Sequence, residues 1–234
     1  MQFHPQKCQL LRITRKRQPS NYTYSIHSVD VMATKDVKYL GVTISDNLSW
    51  NSHISNICYK ANSIVNFLHR NFKDCSLSVK SKLYNTYVRP SLEYCSSVWD
   101  PYTDTNISQL ERVQKRAARF THKNFSREVR VTPMLQQLGW DPLSERRAKA
   151  KTTLLYKALN GLVDNPTDHL SLTSNRTRRD NNFFVPYART DIYRHSFFIS
   201  STLLWNSLPA SVRDSQSLSS FSSDLNNLTL RSAY

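Results

Sequence analysis

The sequence predicts an α+β fold: a short N-terminal region of antiparallel strands, then a mainly α-helical bundle. β-branched and aromatic residues recur near period two up to residue 44. From Trp50 onward apolar residues recur at three and four, and most prolines and glycines of that part fall where the helical pattern stops. Residues 7–14 and about 22–44 read as the strands, with Pro19-Ser20-Asn21 as a turn. Tyr39, Leu40, Val42 and Ile44 read as one buried alternating strand broken by Gly41, one of three glycines in 234 residues. These strands are too few for a complete α/β domain.

Trp50, Ile54, Ile57, Ala61, Ile64, Val65, Leu68 and Phe72 define a long amphipathic helix with Ser49 as its candidate N-cap. A second helix begins after Ser76 with Val79, Leu83, Tyr84 and Tyr87 on one face. Pro90 should kink or end it, since proline lacks an N–H and clashes with the preceding turn; residues 92–99 resume it. A third runs from about Thr105 to His122. Thr132-Pro133 opens a fourth that Gly139 closes, and Asp141-Pro142 opens a fifth that Asn160-Gly161 closes, with proline at the first turn and glycine past the last. Residues 164–195 lack periodicity and interleave Arg176, Arg178, Arg179, Arg189 and Arg194 with Phe183, Phe184, Tyr187 and Tyr193, so they read as an extended segment lying on the helices. Short helices over 196–208 and 215–228 end the chain; the alternative for the second is a disordered Ser-rich tail, against which stand Leu218, Phe221, Leu225 and Leu228. Three regions result: strands over 1–48, a helical domain over 49–163, and an Arg/aromatic segment with C-terminal helices over 164–234.

The balance of 32 Lys+Arg against 17 Asp+Glu gives a formal charge of +15 and a pI near 9.9, which favours a polyanionic partner over mere solubility. No apolar run approaches the ~20 residues of a membrane span, and Met1 is not followed by a secretory pattern. An intracellular address, nucleus or cytoplasm, is expected, with no membrane partner and no small-molecule substrate. Cys8, Cys58, Cys75 and Cys95 lack metal-ligand spacing; Cys58 and Cys95 read as small core side chains. Trp50, Trp99, Trp140 and Trp205 lie beside helical apolar positions and read as core. His53, His69 and His122 read as surface or core residues.

The third helix carries the strongest chemical pattern. Ile107, Leu110, Val113 and Ala117 fall on one side, while Arg112, Lys115, Arg116, Arg119 and Lys123 fall on the other. Cations repeated at each turn, ~5 Å apart, suit a phosphate backbone. A solvated charged face gives the same pattern. Two facts favour binding: Glu111 is the one acid inside the stripe, and Arg146 and Arg147, with Lys149 and Lys151, repeat the bias on the fifth helix. Such contacts position nucleic acid without reading bases, so charge reversal at Arg116 and Arg119 should weaken every sequence alike.

Several segments, in order, resemble one family. They are Lys38-Tyr39-Leu40-Gly41-Val42-Thr43-Ile44 with Leu48-Ser49-Trp50-Asn51-Ser52-His53-Ile54; Tyr87-Val88-Arg89-Pro90-Ser91-Leu92-Glu93-Tyr94; Val98-Trp99-Asp100-Pro101; and residues 109–120, QLERVQKRAARF. Leu138-Gly139-Trp140-Asp141-Pro142-Leu143 with Arg146-Arg147, then Ser196-Phe197-Phe198 and Trp205-Asn206-Ser207-Leu208-Pro209, continue the series. Together they resemble the end of the palm, the thumb and the tail of reverse transcriptases from non-LTR (LINE-like) retrotransposons. The resemblance implies that Tyr39, Leu40 and Gly41 form a primer-grip-like hairpin, that Lys7 matches a position near the incoming nucleotide, and that the partner is RNA, DNA or an RNA/DNA hybrid.

It also implies a missing centre. Nucleotidyl transfer needs carboxylates that hold two Mg²⁺ ions ~4 Å apart, and the family supplies them from an Asp-Asp hairpin. No Asp-Asp pair occurs here, and the glutamates are Glu93, Glu111, Glu128 and Glu145. Catalytic residues are therefore expected upstream of Met1, and no cofactor, metal or activity is expected of this chain. No P-loop, dinucleotide glycine pattern, H-E-x-x-H or G-x-S-x-G occurs. The sequence thus predicts a non-catalytic C-terminal fragment of an RNA-directed DNA polymerase that binds nucleic-acid backbones. The alternatives are a basic helical protein-interaction module and a decayed element without a selected function.

Overall fold

The computed structural model describes residues 4–126, 128–168, 170–173 and 182–230. The chain divides into two compact units, Met1–Tyr59 and Lys60–Tyr234, and the second runs unbroken across residue 163. Arg176, Arg178 and Arg179 lie outside the described residues.

The first unit is built from strands paired in twos. β1 (Leu10–Leu11) pairs with β4 (Ala33–Thr34), β2 (Ser25–Ile26) with β3 (Val29–Asp30), and β5 (Asp36–Tyr39) with β6 (Val42–Ser45). The last two pairs are antiparallel, as expected, while β1 and β4 run parallel. The segment read as one buried strand is a hairpin. Leu40 and Gly41 both have positive φ, 46° and 89°, which is the geometry of a two-residue type I′ turn and matches the twist of the strands it joins. The turn sets Tyr39 opposite Val42; Val42 is buried, while Tyr39 and Leu40 at the tip are 64% and 73% exposed. The Thr43 N–H donates to His53 Nδ1 at 3.2 Å, fixing the hairpin to the first turn of α1 (Asn51–Asn71).

Helices make up the second unit. α2 (Leu77–Leu83) starts where Ser76 Oγ accepts the Val79 N–H, at 3.4 Å. Pro90 does not stop this helix. A π turn, Tyr84–Val88, widens the backbone one turn ahead of it, the Arg89 N–H reaches back to the Tyr84 carbonyl, and α3 (Arg89–Glu93) continues. The wider turn absorbs both the missing donor and the ring clash. The buried face differs from the expected one: Lys80, Tyr84, Val88 and Leu92 are buried, whereas Val79 and Tyr87 are exposed. Cys95, left-handed at φ 54°, separates α3 from α4 (Ser96–Trp99) and is exposed rather than core, unlike the buried Cys58.

α5 (Asp104–Thr121), α6 (Val131–Leu138) and α7 (Leu143–Leu159) lie within a residue or two of their predicted bounds. Tyr84 stacks on Trp140 at 3.9 Å, and its hydroxyl donates to Gln114 Oε1, which ties α5 to the segment leading into α7 through Gln114 Nε2 and the Asp141 carbonyl. α8 (Asp191–Arg194), α9 (Phe197–Asn206), α10 (Ala210–Arg213) and α11 (Leu218–Asn226) follow. α9 and α11 pack on α7, and α10 on α11: Tyr156 stacks on Phe221 at 4.2 Å, with Leu155, Leu204, Trp205, Leu208 and Leu225 around them. Burial of Phe221 and Leu225 is why the Ser-rich end is a helix. Trp99, Trp140 and Trp205 are core residues.

Leu40 holds a left-handed conformation that Asn tolerates better than a branched apolar side chain. Leu40→Asn should therefore stabilise the protein by about 0.5–1 kcal/mol in urea unfolding; no change in the midpoint would show that Leu40 is held by more than its turn.

Candidate nucleic-acid interface

α5 is amphipathic because its sequence is. Leu110, Val113, Ala117, Ala118 and Phe120 are buried, which leaves Arg112, Lys115, Arg116 and Arg119 along the opposite face, with Lys123 just past the helix end. Arg112 Nε donates to its own helix at the Ser108 carbonyl, 3.3 Å. Arg116 spans to α1, donating through Nη1 to Asn62 Oδ1 at 3.0 Å and through Nη2 to Asn66 Oδ1 at 2.6 Å. Arg119 closes the loop that follows α5 by donating to the carbonyls of Ser126 and Val129. All of these acceptors are neutral, so they orient the guanidinium groups without cancelling their charge. Lys123 alone meets a carboxylate, Asp74, at 3.9 Å with both side chains largely in solvent, an arrangement of little energetic weight. Among the described residues, Arg112, Lys115, Arg116 and Arg119 form no ion pair.

Glu111, the acid expected to offset this stripe, is turned away from it. Its carboxylate accepts the Ser144 N–H at 3.0 Å and so caps the start of α7. Burial raises its pKa above the usual carboxylate value, and the Ser144 amide, the charges of Arg147 and Lys115 and the Leu143 amide oppose that shift.

The basic residues of α7, Arg146 and Arg147 among them, are arranged differently. Arg146 chelates Glu93 through Nε and Nη2, the latter at 3.1 Å, and that bond raises its pKa further. Arg147 is 1% exposed; its Nε donates to Asp100 Oδ1 at 2.8 Å while Lys151 Nζ meets Asp100 Oδ2 at 2.7 Å. Lys151 also donates to Ser200 Oγ on α9 at 3.0 Å, and Lys149 pairs with Glu145 at 2.8 Å. Helix α7 spends its cations on holding the fold, and a phosphate cannot reach Arg147 without opening the core.

Tyr39, Leu40 and Gly41 stand together at an exposed turn of the first unit. Among the described residues no helix is long and apolar enough to cross a membrane, and no group of His, Cys, Asp or Glu is placed to hold a metal ion. The residues that sequence reasoning missed are the partners, Asn62, Asn66, Glu93 and Asp100. Each is distant in sequence from the cation it meets, and no local spacing marks it.

Arg147 and Arg112 should therefore respond oppositely. Asp100→Ala strands two buried cations and should cost about 3–5 kcal/mol in chemical denaturation, whereas Arg112→Glu with Lys115→Glu should stay within about 0.5 kcal/mol of the parent. Equal stability of the Asp100 variant would remove the network as a structural element. No family model, curated protein or solved structure matches this chain.

Proposed function

We propose that this chain is a non-catalytic, nucleic-acid-binding region akin to the thumb and tail of non-LTR retrotransposon reverse transcriptases, and that α5 grips the sugar-phosphate backbone of RNA, DNA or a hybrid. What supports it is the charge of α5. Arg112, Arg116 and Arg119 are oriented by neutral acceptors, and with Lys115 they form no ion pair among the described residues, whereas Arg146, Arg147, Lys149 and Lys151 of α7 are directed to the carboxylates of Glu93, Asp100 and Glu145. From Arg112 to Arg119 the stripe is about 10 Å long, enough for roughly three phosphates at the ~3.4 Å rise of one strand. Such a surface reads charge and spacing and leaves the bases unread. By the same resemblance, the exposed Tyr39-Leu40-Gly41 tip serves as a primer-holding hairpin.

The test is fluorescence anisotropy with an RNA/DNA hybrid and single-stranded RNA over a salt series, with heparin as competitor. Affinity should fall steeply with salt, and Arg112→Glu with Lys115→Glu should lower the log–log slope by roughly 2, about 0.9 per lost phosphate contact. An unchanged slope would remove α5 from the site. Displacement by heparin as readily as by nucleic acid would favour a basic protein-interaction module instead.

A further inference from the structure

Three helices of the second unit end with the same pair of backbone bonds: the amide of a left-handed residue reaches the carbonyl three before it, and the next amide the carbonyl five before. At the ends of α6 and α7 the left-handed residue is glycine, Gly139 at φ 62° and Gly161 at φ 64°. At the end of α5 it is Lys123, at φ 53°. A lysine accepts this conformation only with steric strain that glycine avoids. The strained residue sits on the wall of a cavity.

That cavity, of about 250 Å³, lies between the second half of α1 and the end of α5 and shares His69, Phe120 and Phe125 with an adjoining one of about 170 Å³. Each is smaller than the ~300 Å³ at which drug-sized ligand pockets begin, a size that suits a single base or phosphate. One wall is aromatic: His69 meets Phe120 and Phe125 edge-on, at 5.7 and 5.4 Å, and Phe125 keeps 54% of its surface in solvent. The other is cationic. Lys73, Lys80 and Lys123 line it against the lone acid Asp74. Lys80 is fully buried, donates from Nζ to the Lys73 carbonyl at 2.8 Å and lies 5.0 Å from the centre of the Phe120 ring. Burial, then the nearby Lys123, lowers its pKa. An anion in the cavity would favour the charged form of Lys80 and offset the repulsion from Lys123. The second cavity is also lined by Arg116 and Asn66, so the site continues the α5 stripe.

We propose that this cavity seats one unstacked nucleotide of a single strand that continues from the α5 stripe, with the base against Phe125 and His69 and the phosphate over Lys73 and Lys123. An exposed ring beside convergent cations is how single strands are held without regard to sequence. The inference rests on the backbone-binding reading of α5 and adds to it a preference for unpaired nucleotides.

The experiment uses the full chain and a short single-stranded oligonucleotide carrying 2-aminopurine, whose fluorescence is quenched on stacking, with a duplex of the same sequence for comparison. Quenching on binding is expected. Phe125→Ala should abolish it and weaken the single strand about tenfold, the worth of one stacked base, with duplex affinity unchanged. Lys123→Gly should weaken single-strand binding while raising the melting temperature, since it relieves the left-handed strain. Asp74→Asn should strengthen binding several-fold. Duplex binding with no quenching, or a Phe125→Ala loss equal for both forms, overturns the pocket and leaves the α5 grip standing. Failure of every nucleic acid to bind at low salt overturns both. Circular dichroism of each variant separates loss of a contact from loss of fold.

Discussion

The carboxylate of Asp100 is the constraint on which the second unit depends. It accepts from Arg147 and Lys151 together, and Lys151 passes the connection to Ser200, so one acid joins the end of α4, the middle of α7 and the start of α9. Two cations and one anion inside a protein are costly to desolvate, and such groups do not repay that cost unless their partners are in place. The gain is registry. α7 can rotate or slide against α9 only by stranding a charge, and the apolar cluster of Tyr156, Trp205 and Phe221 is packed in the same register. The region after residue 163 thereby becomes part of the helical unit instead of a separate tail.

This arrangement also divides labour between two basic helices that look alike in sequence. α7 directs Arg146, Arg147, Lys149 and Lys151 to Glu93, Asp100 and Glu145. α5 directs Arg116 and Arg119 to amide and carbonyl oxygens, which hold the groups still and leave their charge outward. Side chains already oriented lose less freedom when a ligand arrives, so a fixed cationic face binds more tightly than an equal number of mobile lysines. The turn of Glu111 away from the stripe, to cap α7, serves both helices at once.

Much of the fold was legible because the signals are local. Proline and glycine bracket α6 and α7, period 3.6 marks α1 and α5, and the stripe on α5 follows from the same period. The failures are those of non-local physics. Glu93 and Asp100 stand 53 and 47 residues from Arg146 and Arg147, so the sequence shows the charge on α7 but not its partner. The π turn before Pro90 lets the helix run on past the proline, and a period read on an ideal helix misses it. Leu40 stands where turn chemistry expects Asn or Gly, so the residue pattern alone reads as a strand and the hairpin is implied only by the family resemblance. Lys123 likewise occupies a glycine position. Residues that break a local rule were the hardest to place, and in the case of Lys123 the break falls beside the candidate site.

The central claim, that α5 and not α7 meets nucleic acid, is tested most directly by photo-crosslinking a 4-thiouridine-containing single-stranded RNA to the intact chain and mapping the modified peptides by mass spectrometry. The account predicts crosslinks within residues 112–125 and on the adjoining turns of α1, with residues 146–151 unmodified. Crosslinks concentrated on α7, or spread evenly over every exposed lysine and arginine, would contradict it.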